Sequence, residues 1–204
     1  MTSNHIHLLV EGGEDRYAIS NAMRYLSGCS AQKYNNRKNR PGACWEDRYH
    51  ATAVSTDAHL SKCMVYIDMN MVRADVVKNP KEWIHSGYHE IIKPKSRFSI
   101  INQGALLRLL NLDSLNELSL VYQELVDNEI IRNDIRKEEM WSKAIAVGND
   151  QFVDQIRSEL GIVSERSKKI VGDDGSYSIR ENEIPYGAVF DAENTLYVGE
   201  ICEI

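Results

Sequence analysis

Five residues in this 204-residue chain are of types, and at spacings, that can do chemistry together. His5 and His7 flank Ile6 at the head of an apolar run, HIHLLV. Successive side chains of a β-strand point to opposite faces. A strand here puts both imidazoles on one face and Ile6 in the core. Two neutral imidazoles side by side are half of a metal site. Taken alone, the triplet reads as a half-exposed strand with two solvated histidines. Tyr66, Asn70 and Arg73 lie in the run DAHLSKCMVYIDMNMVRADVV, spaced by four and then three residues. On a helix they stack along one face. A phenol, a carboxamide and a guanidinium are a nucleophile, a hard oxygen ligand and a phosphate clamp. Set against the histidine strand they make a compact metal-assisted phosphoryl-transfer site. Three such residues are also the ordinary wet edge of a helix. Asp68 falls off that face, toward solvent.

The elements that must carry these residues define an α+β chain. After the opening strand, Glu11-Gly12-Gly13 turns the backbone, and Glu14 or Asp15 starts a helix with Ile19, Met23, Leu26 and Ser30 at helical spacing. It fades into the polar loop KYNNRKNRPGA. CWEDRYHATAVS mixes aromatic, small and β-branched residues and reads as a second extended segment. Thr56-Asp57 caps the long helix that carries Tyr66, and Asn79-Pro80 ends it. WIHSGYHEIIKPKSRF is irregular, a packing flap or linker. From about Asn102, GALLRLLN, SLNELSLVYQELVDNEII, KEEMWSKAIAV and NDQFVDQIRSELG all show helical periodicity. The organisation read from this is a catalytic region over residues 1–100, a helical region over 101–162 and a weakly patterned polar tail over 163–204, with room for a short hairpin.

Composition narrows the class. The hydrophobic fraction of 43% and charged fraction of 26% are those of a globular protein. No apolar stretch approaches the roughly 20 residues of a membrane span, so no membrane partner is expected. Cys29, Cys44, Cys63 and Cys202 are scattered, with no CxxC pair, as in the reduced cytoplasm. The net charge of -6 conceals an asymmetry. Between Arg16 and His50 seven basic residues (Arg16, Arg24, Lys33, Arg37, Lys38, Arg40 and Arg48) face two acidic ones, whereas from Ala51 onward 17 basic residues face 25 acidic. A basic N-terminal quarter suits a phosphate-binding face, and equally a solvated helix surface.

The same residues resemble a known family. His5-Ile6-His7, preceded by Asn4 and followed by Leu8-Leu9-Val10, resembles the His-hydrophobe-His motif of single-tyrosine transposases. Tyr66-Ile67-Asp68-Met69-Asn70-Met71-Val72-Arg73-Ala74 is similar to the Tyr-Ile-x-x-Asn-Pro-Val-Arg-Ala stretch of the REP-associated branch. Gly42 to Tyr49 resembles that branch's Gly-x-x-Trp-x-x-Arg-Phe/Tyr segment, and Trp83 to Tyr88 its Trp-Ser-Ser-Tyr block. The four segments occur in order over about the first ninety residues.

The resemblance implies a ferredoxin-like antiparallel sheet, and a chemistry. His5, His7 and Asn70 would hold a divalent cation, Mg2+ or Mn2+. Tyr66 would attack a phosphate of single-stranded or hairpin DNA, and the basic residues with Arg73 would track the backbone. Trp45 and Tyr49 read as base-stacking or as core residues. Two departures stand out. Met71 replaces the family's proline, and the chain starts where the family has already placed a strand and a helix, so the catalytic domain reads as incomplete at its N-terminus. An uncovered first strand favours dimerisation or poor folding. The alternatives are a truncated relic that binds DNA without cutting it, and a helical interaction protein.

Overall fold

The computed structural model describes residues 5–13, 15, 17–56, 58–132, 138–161, 167–172 and 174–181. Met1–Asn4, Arg16 and Asp57, to which parts of the sequence reading fall, lie outside them. The chain divides into two compact units at Ala51/Thr52.

In the first unit, His5–Gly13 carry no strand pairing, which corrects the expected histidine strand. A strand exists only where neighbouring backbone groups pair with it, and no described segment supplies those partners. Leu8, Leu9 and Val10 remain 47%, 39% and 52% exposed. Helix α1 (Ala18–Lys38) forms where Ile19 to Ser30 predict one, and it runs on through Lys33–Lys38, which corrects the polar loop expected there. Asn39 ends it in the left-handed conformation (φ 48°, ψ 46°), returning its N–H to Asn35 O and Asn36 O. No residue of α1 is buried. The following loop folds back onto it: Trp45 Nε1 donates to Ser27 O at 3.0 Å, and Asn35 Nδ2 donates to Gly42 O at 2.8 Å.

The second unit is mixed α+β and holds the cores. Its elements are β1 (Ala53–Val54), α2 (Ala58–Asp68), α3 (Asn70–Arg73), a 3-10 turn at Pro80–Glu82, α4 (Tyr88–Ile92), α5 (Gln103–Leu110), α6 (Leu115–Arg132), α7 (Met140–Lys143), β2 (Ala146–Gly148), α8 (Asp150–Glu159), β3 (Ser167–Val171) and β4 (Tyr177–Glu181). The sheet has the order β1-β2-β4-β3, parallel only between β1 and β2. The α+β class and the mostly antiparallel sheet match expectation. The placement of the strands does not, because only β1 comes from the first hundred residues. Of the extended segment CWEDRYHATAVS, just Ala53 and Val54 pair.

The reason lies in AIAVG. Periodicity predicts that this run ends a helix. Here α7 lasts one turn, and Ala144, Ile145, Ala146 and Val147 are all at most 5% exposed. A run buried on both faces suits a central strand, whereas a surface helix needs a wet side. Gly148 closes the strand where a Cβ would meet Phe152 Cδ1 at 2.5 Å and Ser55 Cβ at 2.7 Å. Helices α5 and α6 form within the predicted helical region, and the polar tail supplies the hairpin β3–β4.

Helix α2 joins two cores. Leu60, Met64, Val65 and Met69 pack with Tyr88, Ile91, Leu106, Leu118, Tyr122 and Val126, while Cys63 and Tyr66 pack with Trp141, Ala144 and Val147. The loop after α4 is pinned by Glu90, 5% exposed, whose Oε1 accepts from Ile100 N and Ile101 N at 2.6 Å each and from Ser99 Oγ at 2.7 Å. Burial works against this charge. The Ile101 amide, Ser99, Lys95 and the Ile100 amide outweigh it and hold the carboxyl at about 2. A depressed folded-state pKa stabilises above the ordinary carboxylate range and is lost as pH falls through the folded value. The stability gap between the wild type and Glu90→Gln, read from urea midpoints, is therefore expected to be full at neutral pH. It should narrow as pH drops from 4.5 toward about 2.

Candidate functional site

Helices α2 and α3 are almost one helix. Met69 breaks the assignment with φ -73° and ψ -3°, yet Met69 N donates to Val65 O at 2.8 Å and Arg73 N to Met69 O at 2.9 Å. Tyr66 and Asn70 therefore stand one turn apart, as their spacing requires. Arg73 reaches back over that turn. Its Nη2 donates to Tyr66 O at 2.5 Å, and its guanidinium lies 3.9 Å from the centre of the Tyr66 ring, a cation–π contact.

The face they share is not wet. Tyr66 is 6% exposed. Trp141 of α7 lies against it, ring centres 6.0 Å apart at a 37° tilt, and the phenol shares a hydrogen bond with Ser142. Trp141 is in turn held by Glu138, whose Oε2 accepts its indole N–H at 2.6 Å. Burial raises the phenol's pKa, opposed by the positive charge of Arg73 and reinforced by Glu138. Cys63, one turn before, is pushed up to about 12 by burial and is chemically quiet.

Asp68 reverses its sequence reading. It is 5% exposed, not solvated. Its Oδ2 accepts from Tyr122 Oη at 2.6 Å and its Oδ1 from Gly87 N at 2.9 Å. Burial raises its pKa, and these hydrogen bonds pull the other way. Spacing places Asp68 opposite Tyr66 correctly; what it does not reveal is that α6 covers that opposite face.

In the first unit, His5 and His7 are half-buried with ring centres 4.8 Å apart, edge to face. Two adjacent imidazoles suit a divalent ion that keeps open positions for oxygen ligands. No cluster of three His, Cys, Asp or Glu is present among the described residues. Arg24, Lys33, Arg37, Lys38, Arg40 and Arg48 are exposed. Lys33 and Arg37 are a turn apart, and the guanidinium groups of Arg37 and Arg40 lie 5.8 and 5.7 Å from the Tyr34 ring centre. These three bases gather at the C-terminal end of α1. Arg24, nine residues before Lys33, is on the opposite side. Trp45 packs on α1 through its bond to Ser27. Arg73, counted among the basic residues, spends its charge on Tyr66.

Residues that the sequence reading missed are Trp141, Ser142, Glu138 and Tyr122, which wall the tyrosine helix from the C-terminal half. The run that holds the first three, KEEMWSKA, carries no signal beyond helical periodicity. No helix among the described residues is long and apolar enough to cross a membrane.

Comparison with known proteins gives two likenesses. Residues 1–70 are similar to the family described as "Transposase IS200 like". The chain is also similar to a protein of Haemophilus influenzae described as a REP-associated tyrosine transposase, 30% identical over 101 aligned residues. That match covers 44% of this chain and 56% of the relative, so the chain spans little more than half of that protein's length. No solved structure matches.

If Trp141 shields the phenol, Trp141→Ala should lower the Tyr66 pKa toward the ordinary tyrosine range. The check is the pH titration of tyrosine ring carbons by NMR, with Tyr66 assigned from Tyr66→Phe. An unmoved titration would mean that other walls exclude the water.

Proposed function

We propose that this chain is a DNA strand-transfer enzyme whose nucleophile is Tyr66. The observation that carries the reading is the stack on α2 and α3: a phenol, a carboxamide one turn on, and a guanidinium on the phenol ring. The family match over residues 1–70 supports it.

In this reading the basic end of α1, with Lys33, Arg37 and Arg40, engages the phosphates of single-stranded or hairpin DNA. The Tyr66 phenolic oxygen attacks the scissile phosphorus as its proton leaves for solvent. The new bond is a 5'-phosphotyrosine, and the bond that breaks releases a 3'-hydroxyl. Arg73 lowers the cost of the phenolate, as its effect on the Tyr66 pKa indicates. The freed hydroxyl can attack the adduct and rejoin a strand, so no external energy source enters. His5, His7 and Asn70 would hold Mg2+ or Mn2+, whose charge, when bound, would favour the phosphate's transition state. A second copy of the chain would suit the uncovered surface of α1, where Tyr25 is 71% and Leu26 52% exposed.

Two observations favour a second reading. Tyr66 is 6% exposed, and the histidine segment has no strand pairing. A relic that keeps hairpin binding and no longer cuts has this appearance.

The deciding experiment incubates the protein with Mn2+ and a labelled hairpin from the flanks of its own gene. A band that survives denaturation and disappears in Tyr66→Phe is the expected result. Hairpin bound in a native gel with no such band would select the relic. Independently, Arg37→Gln with Arg40→Gln should flatten the plot of log affinity against log salt, by about 0.7 for each phosphate no longer neutralised. An unchanged slope would remove these arginines from the DNA face.

A further inference from the structure

The bond between Asp68 and Tyr122 is unusual in where it sits. Asp68 is 5% exposed and Tyr122 1%, in the centre of the larger core. Burying a carboxylate is costly unless its lone pairs are met, and the structure meets them from two further elements. Tyr122 Oη of α6 lies 2.6 Å from Oδ2 and 3.2 Å from Met64 O, while the Gly87 amide at the start of α4 reaches Oδ1 at 2.9 Å. Buried pairs of this kind are often replaced by apolar residues of similar size with little loss of stability. What the polar pair adds over an apolar one is direction.

Direction matters at this position because of where Asp68 is on its helix. It follows Tyr66 by two residues, about 200° around the axis. A helix held at Asp68 from behind has its rotation fixed, and Tyr66 on the far side points where that rotation sends it. Apolar contacts alone leave such a rotation softer, since dispersion is non-directional.

We infer that Asp68 and Tyr122 are positioning residues, whose bond sets the rotation of α2 and thereby the direction in which Tyr66 presents its phenol. The consequence for catalysis rests on the strand-transfer reading above. The C-terminal half thus acquires a role in the chemistry that the family match over residues 1–70 does not cover.

The test uses the full chain and the double variant Asp68→Leu with Tyr122→Phe, an apolar pair in the same space. Its melting midpoint is expected within about 5 °C of wild type, and its affinity for hairpin DNA unchanged. The single-turnover rate of covalent adduct formation should fall by about tenfold or more. The Tyr66 ring resonance, assigned by its loss in Tyr66→Phe, should shift or split. Asp68→Asn keeps an acceptor for the Gly87 amide and offers its NH2 to Tyr122 Oη, whose own proton can go to Met64 O, so it should hold the rate within about threefold of wild type. If the double variant does not fold, Tyr122→Phe alone carries the same two readouts. A folded variant with the wild-type adduct rate and an unmoved Tyr66 resonance overturns the inference. Wild-type protein that binds the hairpin but forms no adduct overturns the strand-transfer reading, and the Tyr66 resonance then decides the positioning by itself.

Discussion

Tyr122 donates to Asp68 across 2.6 Å of dry interior, and much of the second unit is arranged so that this bond can exist. Helix α6 must lie along α2 to bring the phenol there, and α4 must begin at Gly87 to offer its amide. The apolar side chains around the pair, Leu60, Met64, Leu118 and Val126, remove the water that would otherwise compete for the carboxylate. A hydrogen bond in such surroundings is stronger than on the surface, and its loss leaves a buried charge without a partner. The surface tie between Lys62 Nζ and Asp174 Oδ2, 2.6 Å but half-exposed, contributes far less.

Because α2 is gripped on that side, its other side is free to be specialised. There the walls are Trp141, Ser142 and Arg73, and the fill is a mixture of aromatic face, hydroxyl and guanidinium rather than pure hydrocarbon. Such a lining tolerates a change of charge on a phenol better than an aliphatic one would, since a cation already rests on the ring.

How much of this is legible in the sequence depends on what each residue's signal reports. The helix around Tyr66, the first part of α1 and the helices α5 and α6 follow from local periodicity and capping, which are properties of a short stretch; the stop expected at Asn79-Pro80 does not, since the helix already ends at Arg73. Tyr66 and Asn70 on one face follow from the same arithmetic. Burial does not, because spacing says which residues share a face and not what will cover it. Asp68 shows this most clearly: its angle is right and its expected surroundings are wrong, since Tyr122 is 54 residues away. The run AIAV reads as the end of a helix, and it becomes a strand because β1 and β4 flank it. The His5–Val10 segment fails in the opposite sense. Its alternation is that of a strand, but no described segment pairs with it.

The parallel pairing of β1 with β2 has a consequence for how the chain comes to be folded. Thr52 bonds to the carbonyl of Ala144, 92 residues on, and Ala53 and Val54 align with Ala146 and Val147. Contacts this distant in sequence close late, because the loop between them must be ordered first. During synthesis the helix that bears Tyr66 leaves the ribosome long before Trp141 exists to cover it. For that interval the phenol is open to water and to any passing partner. The order in which the chain is made thus gives the tyrosine an exposed infancy that the finished fold takes away.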